Sequence, residues 1–441
     1  VNEKEDFMKR QMKATALSLV MALSLTACSG GGAPVTKGGS EAKGEADKSL
    51  SGTVTVWSWD VALAHLQEEA EKFNEIYPDV EFNFEEMGVS QVYSKITTCL
   101  QSGIGLPDVV SLEGEQMAKF GEKFPDKFVD FTGDIKAEDF LDIKISECTA
   151  GGKVVAYPWD AGPCAMFYRT DIFEQAGVKA EDIVTWDDFI EAGKTIMEKT
   201  GTAMMPLATA RKDTTYRMLL MEQEGFYFDE NGNTNVNSPE SIRAMEMIQK
   251  IYDAGITVND NSWDDFIASL SGSKIACVPE AVWLAGSIKD AAPDQSGKWG
   301  VMELPRFDKD KESGGASNGG SVLAVPASAK SKEAAVEFVK FAMTDKEGNV
   351  EGFTKYGLYP SYIPALDSEV FKEGDEFFGG QKIYDLFNAV GQKIPKCNYT
   401  ANFAEAIDLS KNAVSKVTLD GQDPKTVMDG LQEEMKAKFG K

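Results

Sequence analysis

The sequence predicts an α/β protein built as two lobes, and three observations lead there. Its 441 residues are enough for two separate cores. From Gly52 the pattern runs strand, helix, strand. Further on, between residues 152 and 178, one strand stops, the chain breaks at Gly162-Pro163, and a new unit begins.

The first unit opens with Gly52–Trp57, which alternates and is β-branched, as a half-buried strand requires. Leu63, Leu66, Ala70, Phe73 and Tyr77 then recur at helical spacing, and Pro78 closes the helix. Val80–Phe84 gives the second strand, Tyr93–Leu100 a helix, and Leu106–Glu115 a third strand with its exit. In the central stretch Lys153–Tyr157 is a short strand stopped by Pro158, because proline cannot extend a hydrogen-bond ladder. Ala165–Tyr168 resumes an apolar run, and a helix follows with Asp171 as its expected N-cap and Gly177 as its stop.

Charge and composition exclude several functions. With 71 acidic against 45 basic side chains the net charge is -26, which would repel a phosphate backbone, so no nucleic acid is expected as partner. The single histidine, His65, would have to carry every triad, His-ligated zinc site or imidazole acid-base step alone. It is expected to be an ordinary surface or boundary residue on its helix. The six cysteines form no C-x-x-C pair. If Cys28 is acylated, Cys99, Cys148, Cys164, Cys277 and Cys397 are left, an odd number that favours mostly free, buried thiols.

Residues 1–7 look like an upstream extension, with Met8 or Met12 as alternative starts. Lys9, Arg10 and Lys13 precede the apolar run Ala14–Leu25, which is too short to span a bilayer. Leu25-Thr-Ala-Cys28 then matches a lipobox, in which Cys28 would be acylated and become the first mature residue. Residues 1–27 are therefore expected as a lipoprotein signal peptide. Residues 28–50, rich in Gly and Ser, are expected as a flexible tether. Together they describe a body lipid-anchored at the outer face of a bacterial cell membrane.

Aromatic and carboxylate residues cluster where strands end: Trp57-Ser-Trp59-Asp60, Glu113-Gly-Glu115 and Trp159-Asp160. Ligands sit at such carboxyl ends in parallel α/β sheets. A flat ring packs on the C–H face of a sugar while carboxylates accept its hydroxyls. Each cluster also has a plainer reading. Trp159 could be a turn aromatic packed on its own lobe, and Glu113 and Glu115 could cap the helix that follows them.

Several segments resemble the extracellular solute-binding family, the carbohydrate-binding proteins of ABC importers that include maltose-binding protein. They are the GTVTVWSWD opening, Phe73–Pro78, the Pro107-Asp-Val-Val110 strand, the stretch 152–178, Thr185-Trp186 and the Phe266–Trp283 element. The resemblance runs from about Gly52 to the end of the chain. It implies a two-lobed, type II periplasmic-binding-protein-like fold, each lobe a mixed sheet flanked by helices, joined by hinge crossings. Residues 51–160 and 321–365 would form lobe one, and residues 161–320 and 366–441 lobe two. The cleft would take ligand contacts from Trp59, Asp60, Glu113, Glu115, Trp159, Asp160, Asp213, Tyr216, Arg217, Trp283, Tyr399 and Phe403. Trp283 would be the platform, although the Gly that usually precedes it is displaced here. Trp186 is expected in the core.

The implied protein is a non-catalytic monomer that captures a small-molecule carbohydrate, with an oligosaccharide favoured, and presents it to ABC importer permease subunits. It would need no cofactor and no metal. The loop from Asp229 to Glu240 carries calcium-type spacing, but Thr234 stands where an EF-hand needs glycine. Asn231-Gly232 makes a turn instead. Two alternatives remain: the same fold with a non-sugar solute, and a lipid-anchored glycoside hydrolase with paired carboxylates.

Overall fold

The computed structural model describes residues 50–440. The signal segment 1–27, the lipidation candidate Cys28 and nearly all of the tether lie outside the described residues. The strands are β1 (Gly52–Ser58), β2 (Val80–Glu86), β3 (Val109–Glu113), β4 (Thr149–Ala150), β5 (Lys153–Val154) and β6 (Tyr157–Pro158), followed by β7 (Cys164–Arg169), β8 (Met205–Leu207), β9 (Thr257–Asn259), β10 (Cys277–Ala281), β11 (Trp299–Met302) and β12 (Ser321–Ala324).

Five strands form one mixed sheet in the order β2-β1-β3-β12-β6. β1 runs parallel to β2 and β3, while β12 runs antiparallel to β3 and β6. The ends of β1, β3 and β6 and the start of β12 therefore share one edge, where Ser321 lies opposite Glu113. A second sheet, β10-β7-β11, is antiparallel and sets Ala281 opposite Cys164. β8 and β9 pair parallel to one another.

Each sheet has its own core. Val54, Val56, Leu66, Phe73, Leu112 and Phe338 pack around the five-stranded sheet. Met166, Phe167, Trp186, Phe189, Val278 and Phe387 pack around the other. The fold is thus two α/β lobes. The helix Lys332–Thr344 buries Ala335, Phe338, Val339 and Ala342, the face its spacing predicts. Thr185 accepts from the Asp188 N–H to cap the helix Trp186–Thr200.

The chain passes between the lobes along three adjacent segments. Asp160 bridges Pro360, and the Ala161 N–H donates to the Tyr359 carbonyl at 2.8 Å. Pro163 bridges Ser317, and the Asn318 N–H donates to the Gly162 carbonyl at 2.9 Å.

Three local expectations fail. Lys153–Tyr157 is not one strand stopped by Pro158: the run divides into β5, paired with β4, and β6, in which Pro158 itself lies opposite Val322 on the edge strand of the large sheet, where a missing N–H is tolerated. Asp171 is not the N-cap of the helix Thr170–Ala176. Arg169 holds that position, and its guanidinium takes both carboxylate oxygens of Asp171 at 2.8 and 2.7 Å. His65 is not at the surface but 1% exposed. Its ring stacks on Trp159 at 5.8 Å, and Nε2 lies 3.0 Å from the Gly348 carbonyl oxygen. The helix Lys346–Tyr356 covers it, and that helix lies far along the chain from the local pattern around His65.

Among the described residues all five cysteines are free and buried. The loop after Asp229 is a turn, in which the Asp229 carboxylate accepts from the Asn231 and Asn233 N–H groups at 2.9 and 2.8 Å.

Candidate functional site

The shared edge of the large sheet faces the second lobe, and the strand exits bring polar groups to it. Asp60 leaves β1 exposed, with φ +34, a left-handed backbone that an aspartate adopts at some cost. Glu113 ends β3 and Glu115 lies in the first turn of the helix Gly114–Lys123. Neither side chain caps that helix. Glu113 instead accepts a hydrogen bond from the Tyr93 hydroxyl. Burial and the neighbouring Glu115 raise its pKa above the usual carboxylate range.

From lobe two, the helix Thr214–Met221 starts after Asp213 and carries Arg217. The Arg217 guanidinium reaches across to Glu115 at 2.6 Å and lies 3.9 Å from Asp213. Burial works against the charge on Arg217, but Glu115 and Asp213 outweigh it and keep the group protonated. Tyr227 donates its hydroxyl proton to Asp213. Arg217 Nε and Asp213 Oδ1 are buried and make no hydrogen bond, and Oδ1 is the atom that the guanidinium faces at 3.9 Å.

Behind these groups lies a fully buried ion pair. Lys144 and Glu147, on the helix Asp142–Cys148, have side chains 0% and 3% exposed. Burial alone would discharge Lys144, but Glu147 and Asp160 outweigh it and hold its pKa up. Backbone without side chains makes room for the pair. A Cβ on Gly114 would stand 1.8 Å from Glu147 Oε2, and one on Gly320 would stand 2.6 Å from the Asp160 carbonyl oxygen.

Trp283 follows β10. Its Nε1–H donates to the Asn318 carbonyl on the second crossing at 3.1 Å, which ties the ring to the hinge. The Asn318 side-chain amide donates to Glu280 at 2.6 Å, and Lys212 pairs with the same carboxylate at 3.3 Å. A cavity of about 560 Å³ opens beside Trp283, with Val61 of lobe one, Lys289, Tyr356 and Tyr384 also on its walls. That is within the usual size range of small-molecule sites.

The structure places the other candidates differently. Trp59 is 9% exposed and belongs to the lobe-one core, and Trp159 is 2% exposed beneath His65, so neither ring offers an open face for stacking. For Trp159 the plainer reading holds. Asp160 is buried as well; its Oδ1 accepts the Ser321 N–H at 2.7 Å and fixes two crossings together. Tyr216 is 0% exposed and hydrogen-bonded to Ser241, because one helical step turns it about 100° from Arg217 into the core. Phe403, also 0% exposed, stacks on Phe226. Tyr399 packs against both at 4.8 and 5.0 Å and reaches the wall of a second cavity of about 820 Å³.

Sequence reasoning missed Tyr93, Lys144, Lys212, Glu280 and Asn318. Glu280 did carry a signal, as a lone carboxylate inside the apolar strand Cys277–Ala281. Lys144 had none beyond its i, i+3 spacing to Glu147.

Two α/β lobes joined by three crossings, with a polar and aromatic cleft between them, define a hinged binding protein. A family profile described as bacterial extracellular solute-binding protein matches residues 68–379. The chain belongs to that family. It is 30% identical to a lactose-binding protein of Rhizobium radiobacter, over 88% of this chain and 93% of that one. It is 26% identical to an arabinooligosaccharide-binding protein of Bacillus subtilis, over 97% of this chain and all of the relative. Among solved structures, the GacH receptor of Streptomyces glaucescens, described with acarbose, superposes with a TM-score of 0.75 at 20% identity, covering 88% of this chain and 98% of the receptor.

Proposed function

We propose that this protein is a membrane-anchored binding protein that captures a carbohydrate, an oligosaccharide above all, between its lobes and delivers it to an ABC importer. The observation that carries the sugar reading is Trp283, half-buried at the cleft and fixed to the hinge by Asn318, with the Glu280 carboxylate beside it. Ring and carboxylate are the two groups a polyol needs. The named relatives, described as binding lactose and arabinooligosaccharides, point the same way.

In this reading residues 51–160 with 321–365 form lobe one, and residues 161–320 with 366–441 form lobe two. All strands of the larger sheet fall in the first set and the antiparallel three-stranded sheet in the second. Cys28 carries the lipid, residues 28–50 are the tether, and the body acts as a monomer without catalysis. Cargo that touches both lobes selects the closed arrangement, which the permease then engages. Micromolar affinity needs about 8 kcal/mol, within reach of one aromatic platform and several charge-assisted hydrogen bonds.

A thermal-shift screen of the Cys28→Ser chain against mono- and oligosaccharides, non-sugar solutes and product assays tests this. Cargo at 100 times its dissociation constant adds about 2.7 kcal/mol and raises Tm. A shift with intact sugar supports the reading. Sugar turnover makes the protein a hydrolase, and a shift with a non-sugar solute alone replaces the cargo. Fatty-acid labelling lost in Cys28→Ser tests the anchor.

A further inference from the structure

Trp263 is the first residue of the helix Trp263–Ser271, whose N-cap Ser262 accepts from the Asp265 N–H at 3.0 Å. The ring is 46% exposed, and it is the one aromatic among the large apolar side chains that stand open among the described residues. An indole left half in water forgoes much of the stabilisation its burial would bring, so its position calls for a reason. Its neighbour supplies one. The Trp263 and Trp283 ring centroids are 6.0 Å apart with planes at 42°, and buried Phe266 supports Trp263 from 5.4 Å. Trp283 is the inner, hinge-fixed ring and Trp263 the outer, open one. Together they make a bent aromatic surface whose spacing suits neighbouring rings of a glycan. Lys212 runs along the same flank, 5.4 Å from the Phe266 ring and paired with Glu280.

We propose that Trp263 is a second sugar-stacking position outward from Trp283, so that the cargo is an oligosaccharide of two or more rings. This rests on the carbohydrate reading above. The test is calorimetric titration of the full chain and its Trp263→Ala and Trp263→Phe variants with galactose, lactose, and arabinose through arabinotetraose. In whichever series binds, Trp263→Ala is expected to weaken chains of two or more rings about tenfold, the scale of one aromatic stacking contact. The monosaccharide should be unaffected, and Trp263→Phe should retain most of the affinity. Unchanged affinity at every length, or equal loss for the monosaccharide, overturns the proposal while leaving the carbohydrate reading intact. Should no sugar bind even the unsubstituted chain, both fail together.

Oxidation by N-bromosuccinimide, mapped by peptide mass spectrometry, gives a readout independent of any substitution. Trp263 should react first in the free protein and be protected by the sugar that bound in the titration. Oxidation of Trp263 undiminished by that sugar also overturns the proposal.

Discussion

Two ion pairs meet near the hinge, and they differ in what they join. Lys144 and Glu147 belong to one helix and are 0% and 3% exposed. Glu115 and Arg217 come from different lobes and are 19% and 8% exposed. The first pair stays within one helix, so it can persist at any opening of the cleft. The second exists only where the lobes meet. A buried pair inside one element is a condition of folding, whereas a pair across a cleft is a contact that conformational change can make or break.

The largest effect should come from breaking the first pair. Lys144→Met leaves Glu147 charged and unpaired among buried groups, and we predict a loss of about 3–5 kcal/mol in urea unfolding. The double variant Lys144→Met with Glu147→Leu should recover part of it, because the Glu147 charge is gone while the buried Asp160 carboxylate still lacks its cation. A loss of less than about 1 kcal/mol in the single variant would mean that water reaches the pair, and the contrast with Glu115–Arg217 would collapse.

A third buried carboxylate sharpens the comparison by separating burial from pairing. Glu69 is fully covered, touches Lys72 at 3.0 Å, and has His65 at 3.8 Å. Its Oε2 has no partner. Burial raises its pKa from 4.5 to about 7, against the pull of Lys72. The folded carboxyl therefore holds its proton more tightly than the unfolded one. Its stabilising contribution is full below the unfolded value near 4.5 and is lost as pH rises through about 7. At about 1.4 kcal/mol per unit, the stability gap between the natural chain and Glu69→Gln should shift by about 3 kcal/mol between pH 4 and pH 8. A gap independent of pH would show that Lys72 alone governs Glu69.

What the sequence could show depended on how far apart in the chain the determinants lie. The first strand, its helix and the crossings were legible because local periodicity and Pro-Gly punctuation set them. The site was legible only in part. Trp159 and Trp59 sit where strands end, as a platform would, yet their faces are covered by parts of the fold no local pattern reveals. The His65 ring over Trp159 depends on a helix 283 residues away through Gly348. Tyr216 and Phe403 failed for a simpler reason, since residue type alone does not say which helical face meets the core. Trp263 errs in the opposite direction: an aromatic after a Ser cap resembles a core residue, yet the ring stands exposed.

The smallest effect on stability should be the most informative about motion. Glu115→Gln keeps the shape of the side chain and a hydrogen bond to Arg217 but removes the charge. Glu115 is partly accessible to water while Arg217 is buried and keeps Asp213 at 3.9 Å, so we predict about 1–2 kcal/mol lost in unfolding, between the exposed and the buried limits. The lobes should nonetheless part more readily, because the pair spans them and the other contacts at this face, such as Lys396 to the exposed Asp142 at 3.4 Å, are weaker. Small-angle scattering of the sugar-free protein should then give a larger radius of gyration for Glu115→Gln than for the natural chain, and saturating cargo should remove the difference. If the two radii agree without cargo, the cross-lobe pair is incidental to opening and the hinge is set by the buried cluster at Lys144 alone. If cargo fails to close the variant, Glu115 is a ligand contact first and a lobe contact second, which calorimetry would show as lost binding enthalpy.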